Sequence, residues 1–130
     1  MHPNSKRPTQ MVCRRGEIRL ANFNPAKGTE PGKIRPCLII QSDLLNGADH
    51  PSTTVIPLTS RLVGNAAPLR YRLSARDQLQ SDSEAMLDQV RTIDNRRVSG
   101  KVLTVLTRAQ LVEIEEYLKI VLGFNLSDDG

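Results

Sequence analysis

Few side chains in this 130-residue sequence have both the type and the spacing for chemistry. Histidine occurs only at His2, near the N-terminus, and at His50, beside Pro51, and neither suits a two-histidine acid and base pair. Cys13 and Cys37 show no CxxC spacing and no flanking histidines, so two reduced thiols are expected in place of a zinc site or a disulfide framework. Asp128 and Asp129 fall at the C-terminal end, and no other carboxylate pair has the spacing of a metal site. A GxSxG nucleophile elbow and a Gly-rich phosphate loop are also absent, so no metal or cofactor is expected. What remains is a set of polar residues at the ends of predicted strands. These are Glu30 in a loop, Arg35 at the start of the second strand, Thr59 and Ser60 at the end of the third, and Asp88 and Gln89 with Arg91 and Asp94 further on.

The charge balance indicates what such residues would meet. Eighteen Lys and Arg against fourteen Asp and Glu give a net charge of +4, which favours a polyanionic partner. The only aromatics are Phe23, Tyr71, Tyr117 and Phe124, so a stacking platform of the kind that reads single strands has little to be built from. Grip on phosphates remains open.

The elements that must position these residues follow from periodicity. A chain of this length with 38% apolar and 25% charged residues is expected to form one compact domain. Residues 1 to 14 are polar and basic and hold Pro3 and Pro8, which predicts an N-terminal tail; a single domain is expected over 15 to 124 and a C-terminal tail over 125 to 130. Residues 17 to 23 alternate polar and apolar as a half-buried strand should. Ala26 to Ile34 reads as an exposed loop carrying Lys27, Gly28, Thr29, Glu30 and Lys33. Residues 35 to 41 are apolar on both faces and predict a central strand. One helical turn is expected at 43 to 45. Residues 53 to 59 are β-branched, and Pro57 predicts a bulge or an edge there. Shorter strands are expected at 69 to 73, 85 to 88, 90 to 94 and around 101 to 103.

The last element changes period. Leu111, Ile114, Leu118, Val121 and Leu122 recur at three and four, Thr107 with Gln110 forms a capping-box pattern, and Gly123 stands where a helix would stop. Val112, Tyr117 and Ile120 widen its apolar face, which suits either deep burial or contact with a second subunit. The fold class expected is mainly β with a C-terminal helix, a small barrel or strongly bent sheet. No run approaches the eighteen or so apolar residues of a membrane span, and no apolar signal core follows the N-terminus, so a cytoplasmic protein is expected.

Four blocks in order carry a family resemblance: Gly28-Thr29-Glu30, then Lys33 to Ile40, then Ile56-Pro57-Leu58-Thr59-Ser60, then Leu87 to Asp94. With Arg15-Gly16-Glu17-Ile18 and the terminal helix, they resemble the signature blocks of the MazF/Kid (PemK) toxins over roughly residues 15 to 123. The resemblance implies an SH3-like barrel acting as a homodimer. It further implies a sequence-specific, metal-independent endoribonuclease that cleaves single-stranded RNA by 2′-hydroxyl attack, leaving a 2′,3′-cyclic phosphate and a 5′-hydroxyl. A MazE-like antitoxin with an acidic segment would block the site.

In that resemblance Arg35 matches the essential arginine, Thr59 the phosphate-binding threonine and Glu30 the loop glutamate placed to receive the 2′-hydroxyl proton. Thr29, Lys33, Ser60, Asp88 and Gln89 stand as substrate-binding candidates. Two positions depart from the Kid branch, which has an arginine where this chain has Met86 and a histidine where it has Thr29, so the Kid acid and base pair is not carried over whole. Arg91 and Asp94 read better as a salt bridge or turn that holds the barrel. Base preference is expected to lie in the loops over 24 to 34, 60 to 68 and 75 to 84. The alternatives are a CcdB-like gyrase inhibitor, which lacks the loop glutamate and Arg-Pro block, and a plain RNA-binding SH3-like module.

Overall fold

Apolar runs broken by Asn-Pro, Asn-Gly and Gly-Asn pairs dictate short strands, and the computed structural model, which describes residues 12 to 25, 28, 29 and 33 to 124, has seven. In chain order they are β1 (Glu17–Asn22), β2 (Ile34–Ile39), β3 (Ser52–Thr59), β4 (Arg70–Leu73), β5 (Ser83–Met86), β6 (Arg91–Asp94) and β7 (Val98–Val105). A single helical turn, α1 (Asp43–Asn46), precedes β3, and α2 (Arg108–Leu122) closes the domain. The sheet runs in the order β4-β5-β3-β2-β1-β7, with β6 paired to β3 off that path. Every pairing is antiparallel. Among the described residues the ladder does not close on itself. The segment after β4 bridges the gap to β7: the Gln78 amide donates to the Leu103 carbonyl at 3.0 Å, the Arg76 guanidinium to Val105 at 2.9 Å, and the Thr104 hydroxyl to Asp77 at 2.6 Å. The outcome is a bent, barrel-like sheet capped by one helix, the architecture expected.

α2 follows its sequence signals closely. The Gln110 amide donates to Thr107 Oγ1 at 3.1 Å, the Thr107 amide donates back to Gln110 Oε1 at 2.9 Å, and Gly123 ends the helix at φ 81. Ile114 is fully buried against the main core of Ile18, Leu38, Ile56, Leu58, Leu87 and Leu103. Val112, Ile120 and Leu122 stay about half exposed, so the helix is seated on one face and not deeply buried.

Four expectations about the strands need correction. Pro57 does not mark an edge, because β3 is the most connected strand. β2 lies on one side of it, while the other side is shared by β6, opposite 52 to 55, and β5, opposite 58 and 59. Pro57 sits at the changeover, where that side needs no ladder donor from it. β1 is not half-buried: Ile18 faces the main core, and Ala21 on the opposite face joins a second core with Cys13, Phe23, Cys37, Ile39, Val55, Ile93 and Val98. Finally, β7 spans eight residues where a short strand was expected, and β5 begins at Ser83, leaving Asp88 and Gln89 on a 3-10 turn.

The second core explains how two charges came to look like an exposed face. Arg19 is 2% exposed. Its guanidinium meets Glu17 at 2.8 Å and donates to the carbonyls of Val12 at 2.9 Å and Ser99 at 3.2 Å. Val12 and Cys13, placed with the tail by composition, are thereby packed, and Cys13 is buried. Burial pushes the Cys37 thiol up to about 12, helped by its neighbour Cys13, so it stays protonated and unreactive. Asp94 fulfils the turn reading by accepting from the Arg96 amide and guanidinium, while Arg91 lies over the Phe23 ring, 5.7 Å from its centroid.

Removing one partner of a buried ion pair strands the other, so Arg19→Ala should cost about 3–5 kcal/mol of stability. The double change Arg19→Met with Glu17→Gln should recover most of that loss. Urea midpoints of the three proteins check this, and equal midpoints for wild type and Arg19→Ala would refute it.

Candidate active site

Strand register brings the two best candidates together. Ala21 pairs with Arg35 between β1 and β2, and Cys37 pairs with Pro57 between β2 and β3. Beyond that last pair, Arg35 at the start of β2 and Thr59 at the end of β3 line the same groove. The Arg35 guanidinium donates to the Leu58 carbonyl at 3.3 Å, which lays it along the end of β3. Burial draws its pKa below the usual arginine value, yet a guanidinium remains charged at any physiological pH. Lys33, just before β2, adopts φ 70, a left-handed conformation uncommon outside glycine. It is held there by its amide, which donates to Asn24 Oδ1 at 2.8 Å, and by its carbonyl, which accepts from the Phe23 amide at 2.8 Å.

Thr59 Oγ1 accepts the Arg61 amide at 3.1 Å, turning the chain out of β3. That bond uses an acceptor lone pair and leaves the O–H free to donate. Around these residues lies a groove of about 760 Å³, lined by Lys33, Arg35, Arg61 and Lys101 with Thr59, Ser60, Ser81 and Ser83. Four cations and the hydroxyls of Thr59, Ser60 and Ser81, with no carboxylate among the described lining residues, form a surface for a polyanion; the buried Ser83 hydroxyl already donates to the Ser81 carbonyl.

A family model described as PemK-like, MazF-like toxin of type II toxin-antitoxin system matches residues 14–122. This chain belongs to that family. It is 34% identical over 118 residues to the endoribonuclease MazF of Staphylococcus epidermidis, covering 90% of this chain and 97% of that protein. Among solved structures it is similar to MazF of Deinococcus radiodurans, at TM-score 0.71 and 27% identity over 87% of this chain and 98% of the other. A MazE-MazF structure from the same organism matches at TM-score 0.67 and 27% identity, with the same two coverages.

Within this MazF-like chain, the groove gathers Arg35, Thr59, Lys33 and Ser60 of the expected residues. Thr29 lies on an exposed turn outside it. Asp88 is exposed and Gln89 half-buried on the 3-10 turn at the far end of β5, and neither lines the groove. Glu30 lies outside the described residues. Arg61, Lys101 and the hydroxyls of Ser81 and Ser83 were missed. Arg61 stands next to the Thr59-Ser60 pair and was within reach of sequence reasoning, whereas Lys101 reaches the groove only through the β1–β7 pairing.

If the four cations hold a strand by its phosphates, Arg61→Ala or Lys101→Ala should each lower the slope of log affinity against log salt by about 0.7 for a single-stranded oligonucleotide. Fluorescence anisotropy across a salt titration measures it; unchanged slopes would place both side chains off the path.

Proposed function

We propose that this chain is a sequence-specific, metal-independent endoribonuclease toxin acting on single-stranded RNA. The observation that carries the reading is that Arg35 and Thr59 line one cationic groove, in a chain of the MazF-like family. The ribose 2′-oxygen attacks the adjacent phosphorus, the bond to the 5′-oxygen breaks, that oxygen takes up a proton from water, and a 2′,3′-cyclic phosphate and a 5′-hydroxyl result. Negative charge grows on the non-bridging oxygens of the phosphorane. Arg35 meets it with a planar fork of N–H donors, and Thr59 adds a neutral O–H donor. A group that holds its proton as firmly as arginine is a poor acid or base near neutrality, so Arg35 clamps and Glu30 takes the 2′-hydroxyl proton. Lys33 and Ser60 grip backbone phosphates, while Thr29, Asp88 and Gln89 contact substrate outside the groove.

The partners follow the same chemistry. A cationic groove is blocked most economically by an acidic segment, which suits a MazE-like antitoxin of the kind named in the Deinococcus radiodurans complex. The half-exposed Val112, Ile120 and Leu122 on α2, with Phe124 just beyond its end, offer an apolar surface for a homodimer. Among the described residues no helix is long and apolar enough to cross a membrane, and the RNA substrate fits a cytoplasmic location. The MazF relatives favour this reading over a gyrase inhibitor or a non-catalytic RNA-binding module.

Incubation with a long single-stranded RNA in EDTA should give discrete fragments ending in cyclic phosphate; intact RNA would overturn the proposal. Arg35→Ala should reduce the rate about a hundredfold or more, as loss of a charged transition-state donor does. Thr59→Ala should cost less, since a neutral hydrogen bond contributes about 0.5–1.5 kcal/mol. Equal activity of Arg35→Ala and wild type, at equal melting temperature, would remove the clamp from the mechanism. Glu30→Gln should erase the acidic limb of the pH–rate profile and lower the rate by about a hundredfold or more, as expected for a lost general base. An unaltered limb would move the base elsewhere.

A further inference from the structure

Thr59, on the groove, also begins a row of paired residues that crosses β5 and β4. Thr59 pairs with Glu84 between β3 and β5, and Glu84 pairs with Arg72 between β5 and β4, so all three share one face of the sheet. Arg70, two residues before Arg72, lies on that face as well. Glu84 is 2% exposed, yet its carboxylate accepts from the Gly64 amide at 2.9 Å, the Val63 amide at 3.1 Å, Arg70 at 3.3 Å and Arg72 at 3.4 Å. Among the described residues each guanidinium gives one N–H to Glu84, leaving other donors of its five for a ligand. Two arginines on one carboxylate leave the cluster with a net positive charge.

The cluster opens on a second hollow, of about 490 Å³, walled by Arg70, Arg72, Asn65, Tyr71 and Tyr117. The chain has four aromatic residues, and two of them meet here, Tyr71 edge-on to Tyr117 with ring centroids 5.6 Å apart. The Ser60–Gly64 segment joins the two sites: Ser60 and Arg61 line the groove, Gly64 lines the hollow, and Thr59 and Glu84 hold its backbone at either end. Two strand spacings, about 10 Å, separate Thr59 from Arg72.

We propose that Arg70 and Arg72, gathered on the buried Glu84, form a second nucleotide subsite for the same RNA strand, the guanidiniums holding a flanking phosphodiester and the tyrosine pair a base. This rests on the ribonuclease reading above. Glu84 is the positioning residue: it fixes both cations and the connecting loop without touching RNA. The site suits a nucleotide because guanidinium and aromatic ring are supplied together, and base stacking tolerates any sequence.

The test uses the full chain, a labelled single-stranded RNA carrying a mapped cleavage sequence with a 2′-deoxy residue at the scissile position, and the cleavable RNA in parallel. Arg72→Ala should raise KM about tenfold with kcat little changed, and should lower the salt slope of binding by about 0.7. Arg72→Lys should restore the slope, because it restores the charge. Glu84→Gln should raise KM in the same way, and shortening the RNA from the end that reaches the hollow should abolish the difference between wild type and Arg72→Ala. A slope unmoved by Arg72→Ala, a fall in kcat at constant KM, or lost affinity for an acidic peptide with RNA binding intact would each overturn the subsite. RNA bound by wild type and never cut would overturn the ribonuclease reading instead, with the salt slopes still deciding the subsite.

Discussion

The exchange of partners along β3 is the constraint on which the remaining architecture depends. A strand flanked on one side by β6 and then by β5 cannot lie in a flat sheet, since the two neighbours approach it from different directions. The bend separates two apolar clusters on opposite faces of the same three strands and turns the ends of β2 and β3 outward. Pro57 fits only because it sits at the exchange, and Thr59, two residues later, emerges where β5 has just begun to pair. A conventional edge at Pro57 would have left Thr59 without Glu84 beside it and Arg35 without a wall to lie against.

Two buried carboxylates hold this arrangement, by the same device. Glu17 and Glu84 are each removed from water, a change that costs several kcal/mol for an unpaired ion. Each is met by arginine and by backbone amides: Glu17 by Arg19 and the Arg14 amide at 3.0 Å, Glu84 by Arg70, Arg72 and the amides of Val63 and Gly64. An apolar residue at either place would fill the space equally well but would give the N-terminal segment or the loop after β3 nothing to bind. The ions therefore contribute more to the placement of irregular backbone than to net stability.

Legibility in the sequence divided along this line. Features fixed by near neighbours were readable: the capping box of Thr107 and Gln110, the stop at Gly123, and the starts of β2 and β3, each one residue earlier than the 35 and 53 expected, all follow from local propensity. Arg35 and Thr59 were readable because each sits at a strand end inside a recognisable block of residues. Glu84 was not. In sequence it is one more polar residue after Ser81-Asp82-Ser83, and only the pairing of β5 with both β3 and β4 makes it a buried anchor. Arg19 misled for the same reason, since alternation with Ile18 and Leu20 signals solvent unless a second core lies on the other side.

The order hydroxyl, carboxylate, cation along Thr59, Glu84 and Arg72 also bears on pH. Burial alone would raise the Glu84 pKa, but the amides of Gly64 and Val63 and the Arg72 guanidinium outweigh it, and the net displacement is downward. A carboxylate whose folded pKa is depressed stabilises the fold above its unfolded value and loses that contribution only as the pH falls through the folded one. Glu84 therefore stays ionised, and the loop and both arginines stay anchored, throughout the neutral and mildly acidic range. Arg35 is likewise charged across it. The Glu84 cluster and Arg35 thus form an electrostatic frame that is constant near neutrality, so under the proposed mechanism a general base would titrate without disturbing the charges around it.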